Sequence, residues 1–362
     1  MKKCAILLLI TVLTGMACQK EVKRNVIDTR SNADLLSLMK INFNFSLFYH
    51  ALQVTGQDSL FGNGNHYTIW MPDNVAFANI GINLENDLDR MNKDSLRLWV
   101  RFHILPGSIP STDIPRTINS PYTSLSGQMH YVTNNGSSVR VNGDVVISAD
   151  HLASDGVIHV LTRPLELPYP SVKDLLLANA NFSYFTTGLK KFGLLDQLAA
   201  GGPYTVIAPL NSAYEVEHIT LDSIEHMDTL RFKKYLYGVS LVSGPRIFVN
   251  DFADPIFGTG GTGLAFFGDV GVLENIFSGG PDAITWDVLD RHRSTALDPT
   301  YGTPENPCAD PYCSPVYLGP SFSGPLINGW PPYIVDWDHP AVNGVVHGLN
   351  DILVYPDSVR IK

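Results

Sequence analysis

Cysteine is scarce in this chain, with four in 362 residues, and charge is thin, with charged side chains making up 17%. No block of Lys and Arg exists, and 25 basic residues stand against 35 acidic ones for a formal charge of −10. A nucleic-acid polyanion is therefore excluded as a natural partner. No run of 18 consecutive apolar residues occurs, so no segment reads as a membrane-spanning helix. Also missing are a Gly-x-Ser-x-Gly elbow, a His-Glu-x-x-His pair and a Gly-x-x-x-x-Gly-Lys-Ser/Thr loop. Nothing in the spacing of Asp and Glu singles out a catalytic pair, so the expectation is a protein that is not an enzyme and uses no cofactor or metal. What the chain has is 44% hydrophobic residues, enough to build substantial cores.

The N-terminus bears on the compartment. Lys2 and Lys3 precede an apolar stretch from Ala5 to Leu13, followed by Thr14-Gly15-Met16-Ala17-Cys18. This resembles a bacterial lipoprotein signal, although Gly15 stands where such signals carry Leu. The resemblance implies removal of residues 1–17, lipidation of Cys18, and membrane contact through that anchor only. Residues 18–31 read as a tether. Gln19-Lys20-Glu21 is similar to the export signal of surface lipoproteins in Bacteroidetes, which implies an outer-membrane protein at the cell surface, with the periplasmic face as the alternative. Cys308 and Cys313 then remain as a close pair that reads as one disulfide in an oxidising compartment. Zinc would want Cys-x2-Cys and two further ligands.

The body of the chain repeats itself. Tyr67-Thr-Ile-Trp-Met-Pro-Asp-Asn-Val-Ala-Phe77 matches Tyr204-Thr-Val-Ile-Ala-Pro-Leu-Asn-Ser-Ala-Tyr214 at an offset of 137, and Asn44 to Phe48 matches Asn181 to Phe185 at the same offset. Asp155-Gly156-Val157-Ile158-His159 pairs with Asn343-Gly344-Val345-Val346-His347 at an offset of 188, so the second copy carries 51 extra residues. Two units of one kind follow.

In the first copy, Leu35, Leu36, Leu38 and Met39, then Phe45, Phe48, Tyr49 and Leu52, give helical apolar faces. Tyr67 to Met71 reads as a strand stopped by Pro72, with Asp73 or Asn74 capping a short helix near Val75. Ser95 to Ile104 reads as a further helix. Asn135-Gly136 and Asn142-Gly143 separate short β-branched runs, a strong hairpin signal. Asp155-Gly156 turns the chain into a buried strand, Val157 to Leu161. Helices first and a meander later make the fold class α+β.

The blocks carrying Pro72, Asn74 and Phe77, then Phe102-His103, then Gly156 and His159 resemble the signatures of fasciclin (FAS1) domains. Pro209, Asn211, Gly344 and His347 repeat them. The resemblance implies one domain over 32–167 and another over 171–356, each a wedge-like β-sandwich with packed helices. It implies adhesion or binding to extracellular protein or glycan; the alternative is an accessory glycan-binding lipoprotein of an outer-membrane uptake system.

The signature residues also have structural readings: Asn74 and Asn211 as satisfiers of backbone groups, His159 and His347 as core histidines, Gly156 and Gly344 as turn glycines. Aligning Leu236 to Val239 with Arg101 to Ile104 puts Gly238 where His103 stands. Asp150-His151 and Asp338-His339 occupy positions where animal matrix relatives carry an integrin-associated Asp-Ile, so integrin binding is not carried over. Together with His159 and His347 they raise the idea of a metal, since imidazole and carboxylate are reasonable ligands. The Gly- and Pro-rich insertion, about 253–335, is also rich in aromatics, and reads as an ordered loop system whose aromatics either pack a local core or carry recognition. Trp286 and Trp330 within it, and Trp337 just after it, are candidate contact residues, beside Asp150, His151, Asp338 and His339.

Overall fold

The computed structural model describes residues 33–251 (except 233, 239 and 245), the backbone of strands within 270–274, 285–290 and 316–320, and residues 334–353. The signal segment, Cys18, the tether, Cys308, Cys313 and Trp330 lie outside the described residues, and of Trp286 only the backbone is described.

The first elements of the described residues are helices α1 (Leu35–Ile41) and α2 (Ser46–Thr55), and the Asp34 carboxylate accepts from the Ser37 amide to cap the first. Strand β1 (Tyr67–Pro72) follows, ended by its proline. Asp73 then caps α3 (Asn74–Asn79), accepting from the Ala76 amide at 2.9 Å. A short helix α4 (Glu85–Asp89), not legible as a periodic run, precedes α5 (Lys93–Phe102), which has Asn92 as its N-cap. After β2 (Ile104–Pro106) come β3 (Ser120–Thr123), β4 (Met129–Asn134), β5 (Val139–Val141), β6 (Asp144–Ala153) and β7 (Gly156–Leu161).

These form one seven-stranded sheet in the order β2-β1-β7-β6-β5-β4-β3. β1 and β7 run parallel, Tyr67 opposite Gly156 through Pro72 opposite Leu161, and both are buried along their whole length. The two-residue side-chain period splits β1 between two cores. Ile69 and Met71 meet Leu35, Phe48, Leu52 and Val100 under the helices, while Trp70 packs with Phe102, Val132 and Leu161 on the other face.

The second half repeats this. Helices α6 (Val172–Ala178) and α7 (Ser183–Lys191) precede β8 (Tyr204–Pro209), α8 (Asn211–Val216), α9 (Leu221–Glu225), α10 (Tyr235–Gly238) and β9 (Leu241–Ser243). Strands β10 (Val270–Glu274), β11 (Thr285–Asp290) and β12 (Val316–Pro320) make an antiparallel sheet of their own within the insertion. β13 (Ile334–Ala341) and β14 (Gly344–Leu349) complete a four-stranded sheet in the order β13-β14-β8-β9. β8 and β14 are parallel, with Tyr204 opposite Gly344, the register of β1 with β7. Among the described residues no helix is long and apolar enough to cross a membrane.

Candidate functional site

The signature residues are occupied inside the scaffold. Asn74 accepts from the Leu47 amide at 3.2 Å and donates to Phe43 O and Ser46 Oγ at 2.8 and 3.0 Å. Asn211 does the same to Tyr184 N, Ala180 O and Ser183 Oγ. Each amide thus joins the start of a post-strand helix to the start of α2 or α7, where backbone groups lack helical partners. The first residue of the later signature acts on the start of the preceding helix, α1 or α6: Asp155 accepts from the Leu35 amide at 2.7 Å, and Asn343 from the Val172 amide at 2.8 Å.

Gly156 and Gly344 are read from sequence as turn residues, but their constraint is a close approach. A Cβ at Gly344 would lie 2.6 Å from Tyr204 O, and one at Gly156 would overlap Tyr67 O. The parallel pairing of the signature strands requires their bare backbone.

His159 is buried, and both its nitrogens are used: Nδ1 accepts from the Asp150 amide at 3.3 Å and Nε2 donates to Ile109 O at 2.9 Å. His347 repeats this with the Asp338 amide and Ile247 O. Burial lowers both rings' pKa, His347 to about 3, so each is neutral. His103 likewise donates from Nδ1 to Trp99 O and accepts the Leu165 amide on Nε2, both at 2.9 Å. The strand register corrects its second-half equivalent. Ile69 faces Ile104 as Val206 faces Leu241, and the Trp70 and Ile207 amides donate to His103 O and Ser240 O. The 137 offset therefore continues, and Ser240, not Gly238, stands where His103 does. His130, not singled out from sequence, is a further core imidazole, bonded through Nε2 to Phe102 O and packed with its ring 4.3 Å from the Phe102 ring at a 30° tilt.

Asp150 and Asp338 each sit in a bulge with positive φ, at 61° and 63°. Asp150 turns its carboxylate onto Ser111, accepting from the amide at 2.7 Å, and Asp338 accepts from the Val249 amide at 2.8 Å. His151 bonds Ser148 Oγ at 2.8 Å. These contacts do not bring Asp150, His151 and His159 together as ligands, and among the described residues no three His, Cys, Asp or Glu side chains are grouped to hold a metal.

Of the candidate contact residues, Trp337, Asp338 and His339 do come together. They line a cleft of about 490 Å³ between the two halves, facing Trp99, Asp144, Arg163 and Glu166 of the first. This volume is ordinary for a ligand site. His339 bridges the halves: Nε2 lies 2.7 Å from Asp336 Oδ1, and Nδ1 lies 3.5 Å from Glu166 Oε2. Burial opposes its charge, but the hydrogen bonds to Asp336 and Glu166 outweigh it and lift the ring to about 10, so His339 is cationic. Arg163 pairs with Asp144 at the floor. Beside the cleft Arg140 reaches Asp251 at 3.1 Å, and Arg246 lies 3.8 Å over the Tyr131 ring while donating to Ala341 O and Val342 O. These cations are scattered singly through the sequence, and only folding brings them to the junction.

Residues 43–168 match the family model of the fasciclin domain. The chain is 27% identical to periostin of Homo sapiens over 164 residues, 44% of this chain and 19% of periostin. It is 26% identical to stabilin-1 of Homo sapiens over 219 residues, 55% of this chain and 8% of that protein. It thus spans a fifth or less of these two relatives. Protein sll1483 of Synechocystis sp. is 27% identical over 182 residues and is matched over 99% of its length. A solved FAS1 domain pair from the insect cell adhesion molecule fasciclin I aligns over 88% of this chain and 99% of its own at 16% identity, with a TM-score of 0.37. Over residues 43–168 the chain carries a fasciclin domain of mixed α+β architecture.

Proposed function

We propose that this chain is a non-catalytic adhesion or binding protein, built from the fasciclin domain and a second unit of the same kind over 171–356. The signature residues supply the main support. In both halves their polar atoms are spent on holding helix ends and strands, which leaves recognition to other surfaces. In this reading Cys18 carries a lipid anchor that holds the protein on the outer membrane, facing outward, and a disulfide closes Cys308 onto Cys313. The contact surface is the cleft between the halves, together with the insertion that leads into β13, and the partner is an extracellular protein or glycan.

A second reading, an accessory glycan-binding lipoprotein of an uptake system, draws on Trp99 and Trp337 lining the cleft, since indole faces suit sugar rings. Pull-down of matrix proteins, or aggregation of cells displaying the chain, supports the first reading. A tryptophan fluorescence change with polysaccharide and none with protein supports the second. Binding that survives Trp337→Ala and His339→Ala together removes the cleft from either.

A further inference from the structure

The floor of the cleft holds a charge imbalance that the first half avoids. In the first half both oxygens of Asp150 are used, Oδ1 by the Ser111 amide and Oδ2 by Ser111 Oγ. Asp338 repeats the bulge and the backbone bond, but Val249 replaces the serine and brings no hydroxyl. Its Oδ2 is buried without a hydrogen-bond partner. The Arg163 guanidinium stands 3.9 Å away, beyond hydrogen-bond reach, and its Nε is taken by Asp144. Two buried carboxylates from opposite halves therefore share one guanidinium.

The other groups facing Asp338 do not mend this. Asp251 has Arg140 as its own partner. His347 is neutral, and its Nδ1, 3.6 Å from Oδ1, already accepts from the Asp338 amide, so it presents no proton. Glu166 adds negative charge near Arg163 from the rim. A buried carboxylate with no matching donor is costly, and a proton is the simplest remedy.

We infer that Asp144, Arg163 and Asp338 form a proton-operated latch across the floor of the cleft. A proton on Asp338 holds the halves together; ionisation loosens them and opens the cleft. This rests on the cleft as the binding surface and adds its regulation. Burial pushes the Asp338 carboxyl up to about 8, against the lowering pull of Arg163 and the Val249 amide. Its folded value lies above its unfolded one, so the junction is most stable near the ordinary aspartate range and weakens as pH climbs towards 8. His339 on the rim loses its own contribution between its ordinary value and about 10, so the test must read Asp338 itself.

The test uses the full chain with carboxyl-labelled aspartate, and no ligand. One aspartate Cγ resonance should titrate near pH 8. Amide exchange at residues 142–144 and 247–251, corrected for its intrinsic pH dependence, should quicken by about ten-fold or more between about pH 6 and pH 9. Asp338→Asn should remove the titration and, in a His339→Gln background that silences the rim imidazole, the pH-dependent exchange as well. Val249→Ser restores the missing hydroxyl and should lower the titration by about one unit or more. The latch is overturned if no aspartate titrates above about pH 6, or if Asp338→Asn in the His339→Gln background keeps the pH-dependent exchange. Should that variant fail to fold, an unmoved titration in Val249→Ser overturns it equally. Because no partner is added, failure here leaves the binding reading standing, and failure to find a partner leaves the latch standing.

Discussion

The ring of Tyr237 occupies the space that a side chain at Gly188 would fill. At the 137 offset the first half has Ala51 and Val100 in these places, both buried under its helices. The second half has moved bulk from one helix to the other: Tyr237 lies 6.1 Å from Phe185 and 5.5 Å from Phe192, and α7 is stripped to glycine beneath it. Gly188→Ala should therefore destabilise, although alanine is the better helix former, by about 1–3 kcal/mol of overpacking. Tyr237→Val should also destabilise alone, through lost volume. The double variant should recover part of the loss, with a coupling of about 1 kcal/mol or more in denaturant unfolding. Additive effects would show that the two positions have not exchanged volume.

Asn74 tests whether the fasciclin signature is scaffold. Its amide makes three hydrogen bonds to the start of α2. Asn74→Ala should cost about 2–3 kcal/mol, and Asn74→Asp nearly as much, because the carboxylate keeps the acceptor but loses both donors. Asn211→Ala should match it in the second half. Amide exchange should report the loss at residues 43–48 for the first and 180–185 for the second. A large loss of partner binding with unchanged stability would assign Asn74 to recognition instead.

The reach of the sequence follows from the range of each interaction. Capping by Asp73, the Asn-Gly turns and the buried β7 run are local, and local patterns expressed them. The duplication was legible because its blocks keep constant offsets. Sequence misaligns the His103 equivalent because Tyr237 and Val239 imitate Phe102 and Ile104 chemically, while the equivalence is fixed by pairing between β8 and β9, a long-range relation. The cleft was half legible. Trp337, Asp338 and His339 sit in one recognisable stretch, but Asp144, Arg163 and Glu166 carry no motif and matter only through their placement against the other half.

Buried histidines make the fold acid-sensitive. Burial lowers His103 to about 3, His130 to about 4 and His347 to about 3. In the unfolded chain each takes a proton near 6.5, so the unfolded state binds more protons below that value and stability falls as pH drops from about 6.5 towards 4. Each ring contributes up to about 1.4 kcal/mol per pH unit in that window. Asp338 works in the opposite sense, so the reading is a difference between proteins. The slope of stability against pH should be shallower in His103→Gln than in wild type by about one such increment. Equal slopes would mean that His103 is not held neutral.

Gly143 tests whether the halves are mechanically joined. It has φ of +86° in the Asn142–Gly143 turn, accepts from Asn250 Nδ2 at 2.9 Å, and lies where a Cβ would stand 2.9 Å from both Asp338 Cγ and Phe248 Cβ. Gly136 is its control. It has nearly the same φ, +84°, in the Asn135–Gly136 turn, and a Cβ there would meet only the end of the Arg116 side chain, which can swing aside. Gly136→Ala should cost about 1 kcal/mol, the strain of a left-handed alanine. Gly143→Ala carries the same strain plus the clash with the second half, so it should cost about 1–3 kcal/mol more and raise amide exchange at residues 247–251. Equal costs for the two variants, with exchange at 247–251 unmoved, would mean that the halves do not press on each other through this turn.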